Sequence, residues 1–443
     1  MASIEQLEQK LDSFNPAERK EAIAKLCDKV KAGDITLPQP GTSLNIHCHT
    51  FFSYNTYGYS PVKFAWLAKK RGLAVAGVVD FDVLDGLEEF YKAAKMLELK
   101  ACGGMETRVY VPQFSTRVIN SPGEPGISYH MGVGFPKAGV DVKLVPFLRG
   151  LKGTAQQRNK ELMGRVNKYL SPVELDYEKD VLPLTPAGNA TERHICSAYA
   201  RKAQQMFGDG QKLAEYWSQK LAADAVKLGI PEGRDLLNTI RVKTMKQGGV
   251  GYVQPDKGSF PTLMKTNEFL LAAGAMPTWT WLDGTSDGEQ AIEELLDVAV
   301  KAGCVALNVI PDRNYTAGKT DQKLKNLYQV VELAEKLNLV LIEGTEMNSP
   351  GQKFVDDFDT AELSSLVPVF LKGAHIAYAH SVLQRKCGLG YTSVWAAKSF
   401  KDIKKRNEFF ETLGKTLRPA NEDRIAGLTE KTTCQEILKK ASP

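Results

Sequence analysis

Short apolar runs alternate with amphipathic runs along most of this chain, and this alternation limits the fold more than any other feature. Eight runs have the length and apolar character of strands: residues 44–48, 73–79, 100–104, 127–133, 275–281, 304–310, 339–342 and 376–379. Helix-like runs lie between several of them, at residues 61–70, 84–97, 263–273, 289–301, 322–337 and 360–371. Such alternation predicts an α/β fold built on a parallel sheet or barrel.

The alternation of strand-like and helix-like runs stops between residues 145 and 260, where the sequence is helix-rich and basic. A (β/α) barrel takes about 250 residues, so the chain has room for additions to one. We therefore predict a barrel formed by residues 41–144 and 261–390, interrupted by a helical insertion at 145–260. Residues 1–40 are predicted to form an N-terminal helical arm, and residues 391–443 a C-terminal helical extension.

Composition narrows the class of protein. The chain has 443 residues, 43% hydrophobic and 25% charged, as soluble globular proteins do. Its net charge of +5 permits an anionic substrate without indicating a nucleic-acid partner. The seven cysteines include no C-x-x-C pair, which argues against a disulfide framework or a zinc ribbon. No apolar run approaches the roughly 18 residues of a membrane span, and the N-terminus is unlike a secretory signal. We expect a cytoplasmic protein without a membrane partner.

His47 and His49 end the first predicted strand, and residues two apart in a strand point to the same side. Alone, such a pair fits ordinary packing or capping as well as metal binding. Other metal-binding residue types follow later predicted strands, namely Asp80, Asp82, Glu106, His130, Glu346 and His380. Barrel active sites lie at the C-terminal ends of strands. This repeated placement favours a metal site over a series of turns and caps.

Four segments carry a family resemblance: His47-Cys48-His49-Thr50, Val78-Val79-Asp80-Phe81-Asp82, Gly104-Met105-Glu106-Thr107 and His130-Met131-Gly132-Val133. In this order they resemble the PHP (polymerase and histidinol phosphatase) superfamily, and most closely its stand-alone phosphoesterases. The resemblance implies a distorted (β/α)7 TIM-like barrel with up to three metals at the strand ends. It also implies metal-dependent hydrolysis of a phosphomonoester or of an oligonucleotide end.

The chain departs from the family pattern at several ligand positions. Phe81 stands where the family has a histidine, the segment Trp279-Thr280-Trp281 lacks one, and Glu346-Met347-Asn348 replaces an aspartate–x–histidine motif. By resemblance, the best-kept metal position has His47, His49, Glu106 and Glu346. A second keeps Glu106 and His130 and needs His380 or His375 as a partner, and a third keeps only Asp80. We expect one or two divalent ions, Zn²⁺, Mn²⁺ or Fe²⁺. Asp80 or Asp82 would act as a base or orient a ligand.

Two further segments are candidates for substrate contact. Thr191-Glu192-Arg193-His194 resembles the arginine–proline–histidine motif of the family's helical insertion, which implies that Arg193 and His194 contact a phosphate. The alternative is that Asn189 or Thr191 caps a helix with Arg193 on its solvated face. Lys353 follows the last candidate ligand and is either a phosphate contact or an ordinary surface lysine.

The leading hypothesis is therefore a metal-dependent phosphoesterase for a small phosphorylated substrate or a short oligonucleotide, in which the metal lowers the pKa of a bound water to about 7. No stable nucleic-acid partner is expected. Two alternatives remain open: a degenerate barrel that binds a metal or ligand without catalysis, and a metal hydrolase of a non-phosphate bond.

Overall fold

A computed structural model describes residues 2–256 and 258–442. Within these residues, one sheet has seven strands: β1 (Leu44–Cys48), β2 (Val75–Phe81), β3 (Ala101–Tyr110), β4 (Ile127–Val133), β5 (Met276–Thr280), β6 (Ala306–Val309) and β7 (Val340–Glu343). The α-helices of the same residues are α1 (Ile4–Lys10), α2 (Pro16–Lys31), α3 (Pro61–Lys70), α4 (Leu87–Met96), α5 (Val145–Leu170), α6 (Glu192–Phe207), α7 (Gln211–Leu221), α8 (Ala225–Leu228), α9 (Arg234–Thr244), α10 (Leu263–Ala272), α11 (Asp287–Gln290), α12 (Ile292–Lys301), α13 (Pro311–Asn314), α14 (Gln322–Lys336), α15 (Ala361–Ser364), α16 (Val367–Cys387), α17 (Val394–Ser399), α18 (Ile403–Thr416) and α19 (Cys434–Ala441).

The strands follow chain order across the sheet, from β1 to β7. The two outer strands meet at the end that carries the histidines: Glu346 donates its backbone N–H to the His47 carbonyl, and its own carbonyl accepts from His49, both at 2.8 Å. The predicted α/β class and barrel-like sheet are thereby confirmed. The sheet is nearly closed, and its closure places the segment after β7 against the end of β1.

The order of elements departs from a uniform (β/α)7 barrel at β4, which is antiparallel to both β3 and β5. Parallel neighbours need a crossover of a dozen or more residues, usually a helix. The link between β3 and β4 contains Pro112, Pro122 and Pro125 and only a single 3₁₀ turn, Pro112–Phe114. It therefore folds back as a hairpin, and β4 runs from the site end toward the opposite end of the sheet.

The eighth predicted strand, residues 376–379, is wrong. These residues lie inside α16, a helix whose buried residues surround its axis (Phe370, Ala374, Ile376, Tyr378 and Val382). A short apolar run has no periodicity that separates a buried helix from a buried strand.

The remaining helices pack outside the sheet. Those of the region predicted as an insertion, α5 to α9, enclose an apolar cluster of their own that includes Leu170, Tyr199, Trp217 and Ile240. At the N-terminus, α1 is capped by Ser3 and α2 by Asn15. Among the described residues, no helix combines the length and the apolar character that a membrane crossing demands.

Candidate metal centre

Three buried side chains converge at the end of the sheet where β1 and β7 meet. His47 lies on β1, His49 just after it, and Glu106 on β3. Nε2 of His49 is 3.1 Å and Nε2 of His47 is 3.5 Å from Oε2 of Glu106, and the two nitrogens are 3.4 Å apart. In the part of the chain that the structure describes, this is the one group of three histidine, cysteine or acidic residues whose ligand atoms lie this close together.

The tautomer of His47 follows from its neighbour on β6. Asn308 donates its side-chain N–H to the Ile342 carbonyl at 3.2 Å, so its oxygen faces Nδ1 of His47 at 3.1 Å. That oxygen can only accept, and Nδ1 of His47 therefore carries the hydrogen. This leaves Nε2 with a free lone pair that points toward Glu106.

The tautomer of His49 follows in the same way from Ser53 and Asp80. Ser53 donates its hydroxyl hydrogen to Oδ1 of Asp80 at 2.6 Å, so its oxygen accepts from Nδ1 of His49 at 3.1 Å. A carboxylate that orients a histidine through its outer nitrogen is typical of metal ligands. Asp80, predicted as a catalytic residue, is fully engaged here, because Thr50 also donates to it through its backbone N–H and its hydroxyl.

Oε2 of Glu106 and the Nε2 atoms of His47 and His49 form a site that fits a cation. Oε2 of Glu106 is buried and lacks a hydrogen-bond donor, and beside it lie two bare imidazole nitrogens, so the lone pairs repel unless a positive charge lies among them. A proton can supply it: although burial disfavours the charged ring, Glu106 and Glu346 raise the pKa of His47. A divalent ion supplies it better, since nitrogen and carboxylate donors suit Zn²⁺, Mn²⁺ and Fe²⁺.

Glu346 lies beside this group but does not join it. Its Oε2 accepts from the Gln352 amide at 3.0 Å and is 3.6 Å from the Arg313 guanidinium. Its backbone has φ 60°, and that of Met347 has φ 54°. Non-glycine residues seldom adopt this left-handed region, and they cluster at functional sites.

Two predicted ligands, His130 and His380, are not brought to the cluster. On β4, Met131 pairs with Glu106 and shares its face, so the adjacent His130 points outward, where its Nε2 is 2.6 Å from the Asn267 oxygen. His380 lies in α16, with Nε2 3.0 Å from the Gly274 carbonyl and Nδ1 accepting from the Tyr391 N–H. Burial lowers the pKa of each to about 4. Both are neutral histidines packed in the helical layer.

A cavity of about 750 Å³ adjoins the cluster. Phe81 lines it and stacks on His49, with ring centroids 4.4 Å apart, so the phenyl ring separates this ligand from the cavity. Its described lining contains three acidic side chains, Asp82, Glu192 and Glu346, and seven cationic ones, Arg108, Arg158, Arg193, Arg241, Lys246, Lys265 and Arg313. The excess of positive charge suits an anionic ligand.

Asp82 and Arg193, predicted as a catalytic and a substrate-binding residue, both line this cavity. Asp82 accepts from the Thr107 hydroxyl at 2.6 Å, its backbone has φ 59°, and burial raises its pKa. Arg193 donates to Asn238 at 2.5 Å and to the Ser349 hydroxyl at 2.7 Å. It is half-buried and lines the cavity, unlike an arginine on a solvated helix face.

His194 and Lys353 are placed differently. His194 is buried and its Nδ1 accepts from the Thr191 backbone N–H at 3.1 Å, which caps α6. Burial lowers its pKa to about 3. Lys353 is exposed, pairs with Asp357 and does not line the cavity. Thr191 is thus the N-cap residue of α6, as in the capping alternative, and His194 completes this cap. Lys353 lies away from the cavity.

Sequence reasoning missed the residues that orient and surround the ligands. Asn308 is a polar residue inside an apolar strand-like run, which is a signal that could have identified it. Arg108 is two residues beyond Glu106 and thus on the same face of β3. Arg241 and Lys246 both pair with Glu192, at 2.8 and 2.7 Å, and these contacts had no counterpart in the sequence pattern.

A scan against protein-family models gives no match, and neither does a search of curated proteins. Among solved structures, an amidohydrolase from Chromobacterium violaceum, with bound sulfate and no metal, matches with a TM-score of 0.48 and 16% identity over 70% of this chain and 88% of that one. A protein named as a metal-dependent phosphoesterase, from Bifidobacterium adolescentis, matches with a TM-score of 0.45 and 15% identity over 75% and 98%. At these values the likeness concerns the course of the chain alone.

Proposed function

We propose that this protein is a metal-dependent hydrolase that acts on a small anionic substrate, a phosphate ester. The observation that carries the proposal is the cluster itself, in which Nε2 of His47 and of His49 and Oε2 of Glu106 lie within 3.5 Å of one another, all buried. His47, His49 and Glu106 would hold one ion. Such an ion lowers the pKa of a bound water and polarises a phosphoryl oxygen.

The residues around the ligands have separate tasks. Asn308 holds the tautomer of His47, and Asp80 holds that of His49 through Ser53. Phe81 covers His49 and excludes bulk water from that side of the cluster. A dry surrounding strengthens the electrostatic interactions on which catalysis depends.

The cavity supplies the substrate contacts. Arg193 makes no ion pair within the described residues, and Arg241 and Lys246 share the single carboxylate of Glu192. These three cations therefore keep positive charge available for the anionic group of the substrate. Arginine in particular recognises phosphate through paired N–H donors.

Asp82 is the residue we assign to proton transfer. Burial raises the pKa of its carboxyl group, so it holds a proton closer to neutral pH than a solvated aspartate does. Thr107 fixes its orientation toward the cavity. In this role Asp82 donates a proton to the oxygen of the leaving group.

The test is hydrolysis of p-nitrophenyl phosphate by purified protein with added Zn²⁺, Mn²⁺ or Fe²⁺. Glu106→Gln keeps the size of the side chain but removes the charge, and activity should fall to background. His375→Ala is the matched control, because His375 lies on α16 away from the cluster. Equal activity of the wild type and Glu106→Gln would contradict the proposal.

Hydrolysis of an amide or a carboxyl ester is a second candidate function. It is favoured by the set of three donor residues, which suits a single ion, because one ion is enough for this chemistry. A parallel panel of p-nitrophenyl acetate and acyl anilides separates the two. Turnover of these substrates but not of the phosphate would replace the phosphoesterase proposal. Tight metal binding without turnover of either class would favour a non-catalytic binding protein.

A further inference from the structure

We propose that Arg108 and Arg158 form an anion subsite in the cavity, so that the substrate carries a second anionic group, a phosphate or a carboxylate, besides the one that reacts. The identity of the reacting end rests on the proposed function. The existence of the subsite rests on contacts away from the metal cluster.

The subsite lies beyond the cluster along β3. Glu106 and Arg108 are two residues apart on this strand and therefore project from the same face. Two residues of a strand span about 7 Å. Arg108 thus lies one step farther than Glu106 toward the C-terminal end of β3, and it lines the cavity.

Both guanidinium groups lie against the ring of Phe260. That of Arg108 lies 4.4 Å and that of Arg158, from α5, lies 4.3 Å from the centroid of the Phe260 ring. Stacking on one ring restricts both planar groups, and each guanidinium keeps N–H donors besides the one that it gives to Glu124 or to the Ser259 carbonyl. All three residues line the cavity.

The charge of this pair is incompletely balanced. Arg108 donates to Oε2 of Glu124 at 2.9 Å, and the same oxygen accepts from the Ser121 hydroxyl. Arg158 donates to the Ser259 carbonyl at 3.0 Å, and among the described residues it makes no ion pair. Its pKa is lowered to about 10, by burial first and then by Arg108, while the carboxylates of Asp82, Glu124 and Glu192 offset part of this. A bound anion would relieve both effects by accepting hydrogen bonds from the two guanidiniums.

This subsite is separate from Arg193. The Arg193 guanidinium is held by Asn238 of α9 and by Ser349, which follows Glu346 in the segment after β7. Arg108 and Arg158 instead belong to β3 and α5. The cavity therefore presents two groups of cations on different elements, which suits a ligand with an anion at each end.

The experiment compares three non-hydrolysable probes by calorimetry on the full-length protein. Propylphosphonate has one anionic group, propane-1,3-bisphosphonate has two phosphonates, and 4-phosphonobutyrate pairs a phosphonate with a carboxylate. We expect the wild type to bind at least one doubly anionic probe about tenfold more tightly than propylphosphonate, the size of one charge-assisted contact. The two doubly anionic probes tell whether phosphate or carboxylate is preferred.

Arg158→Gln should abolish this preference while its affinity for propylphosphonate stays at the wild-type value. Arg165→Gln is the matched control: Arg165 is also on α5 and also donates to a backbone carbonyl, that of Gly251, but it does not line the cavity. It should keep the preference. Arg158→Lys, which retains the charge without the fork of donors, should keep part of it.

Equal binding of all three probes by the wild type, or an equal loss for all probes in Arg158→Gln, would overturn the subsite. Because these measurements require no turnover, they are independent of the hydrolase proposal. A wild type that prefers a doubly anionic probe yet hydrolyses no ester would contradict the proposed function and leave the subsite standing.

Discussion

The phenyl ring of Phe81 stacks on the imidazole of His49, with ring centroids 4.4 Å apart and an interplanar angle of 29°. Phe81 is the last residue of β2 and pairs in register with Glu106 on β3. A phenyl ring cannot bind a metal, but here it fixes the plane of a ligand and closes one side of the cluster. The side chain at this position therefore controls access to the proposed metal site.

Phe81→Ala should speed the exchange of the metal ion. Removal of the ring opens His49 to the cavity, so a chelator in solution should strip the ion several-fold faster than from the wild type. Phe81→Leu keeps apolar bulk and is the control, with a rate near that of the wild type. An unchanged stripping rate in Phe81→Ala, followed with a chromogenic chelator, would show that the ring is no barrier.

Asn308 should affect metal affinity without touching the ion. Its oxygen holds the hydrogen of His47 on Nδ1, and loss of such outer contacts weakens metal binding about 10- to 100-fold. We expect this loss for Asn308→Ala, measured by competition with a metal indicator. Asn308→Asp keeps an acceptor and should keep the affinity; equal affinities of Asn308→Ala and the wild type would refute this role.

Asp82 and Asp80 should give opposite phenotypes. Asp82→Asn removes the proton donor, so kcat should fall about 10²- to 10⁴-fold while metal content is retained. Asp80→Asn disturbs the acceptor of Thr50 and Ser53, which should weaken metal binding through His49. Elemental analysis and kinetics of both variants check this. Loss of metal in Asp82→Asn would remove the distinction between the two aspartates.

The contribution of the Glu343–Asp356 pair to the stability of the protein should fall as the pH rises above about 4. Glu343 and Asp356 are buried side by side, and both Glu343 oxygens and Oδ2 of Asp356 lack a donor. Burial raises the pKa of Asp356 from 3.8 to about 7, and Asp312 and Asp357 add to this while Lys353 opposes it. Folded Asp356 keeps a proton that the unfolded chain releases at lower pH, so its stabilisation is complete below pH 3.8 and is lost as the pH rises through about 7. Burial also raises the pKa of Glu343 well above its usual value, so Glu343 keeps its proton to higher pH.

Asp356→Asn should therefore be more stable than the wild type at pH 8, by on the order of a few kcal/mol. Thermal unfolding at pH 5 and pH 8 measures the difference. Asp359→Asn, an exposed position in the same segment, is the control and should follow the wild type. A wild type and an Asp356→Asn variant with the same pH dependence would exclude a shared proton.

The parts of the fold that sequence predicted are those governed by local pattern. Alternation along β1 placed His47 and His49 on one side, and Pro61–Lys70 was recognised at its exact bounds from its apolar spacing. The direction of β4 could not be read from its own residues, because a strand has the same pattern whichever way its neighbours run. The sequence feature that indicated an antiparallel β4 was the proline-rich link between β3 and β4, which contains no α-helix.

His130 and His380 were assigned to the cluster wrongly because their positions depend on tertiary structure and not on local pattern. His130 was assigned to the cluster from its position in a strand, but its face depends on register with Glu106, which only the paired strands define. His380 followed an apolar run that forms helix. Arg108 and Arg158 could not be paired from sequence, because what they share is a contact with Phe260, which is remote in sequence from both.

The most direct test of the account is the metal content of the purified protein after incubation with Zn²⁺, Mn²⁺ or Fe²⁺ and removal of free ions. We predict about one divalent ion per chain in the wild type, and its loss in His49→Ala and in Glu106→Gln, with the His375→Ala control unchanged. A wild type that retains no ion under any of these conditions, or variants that retain as much as the wild type, would contradict the central claim that His47, His49 and Glu106 form a metal site.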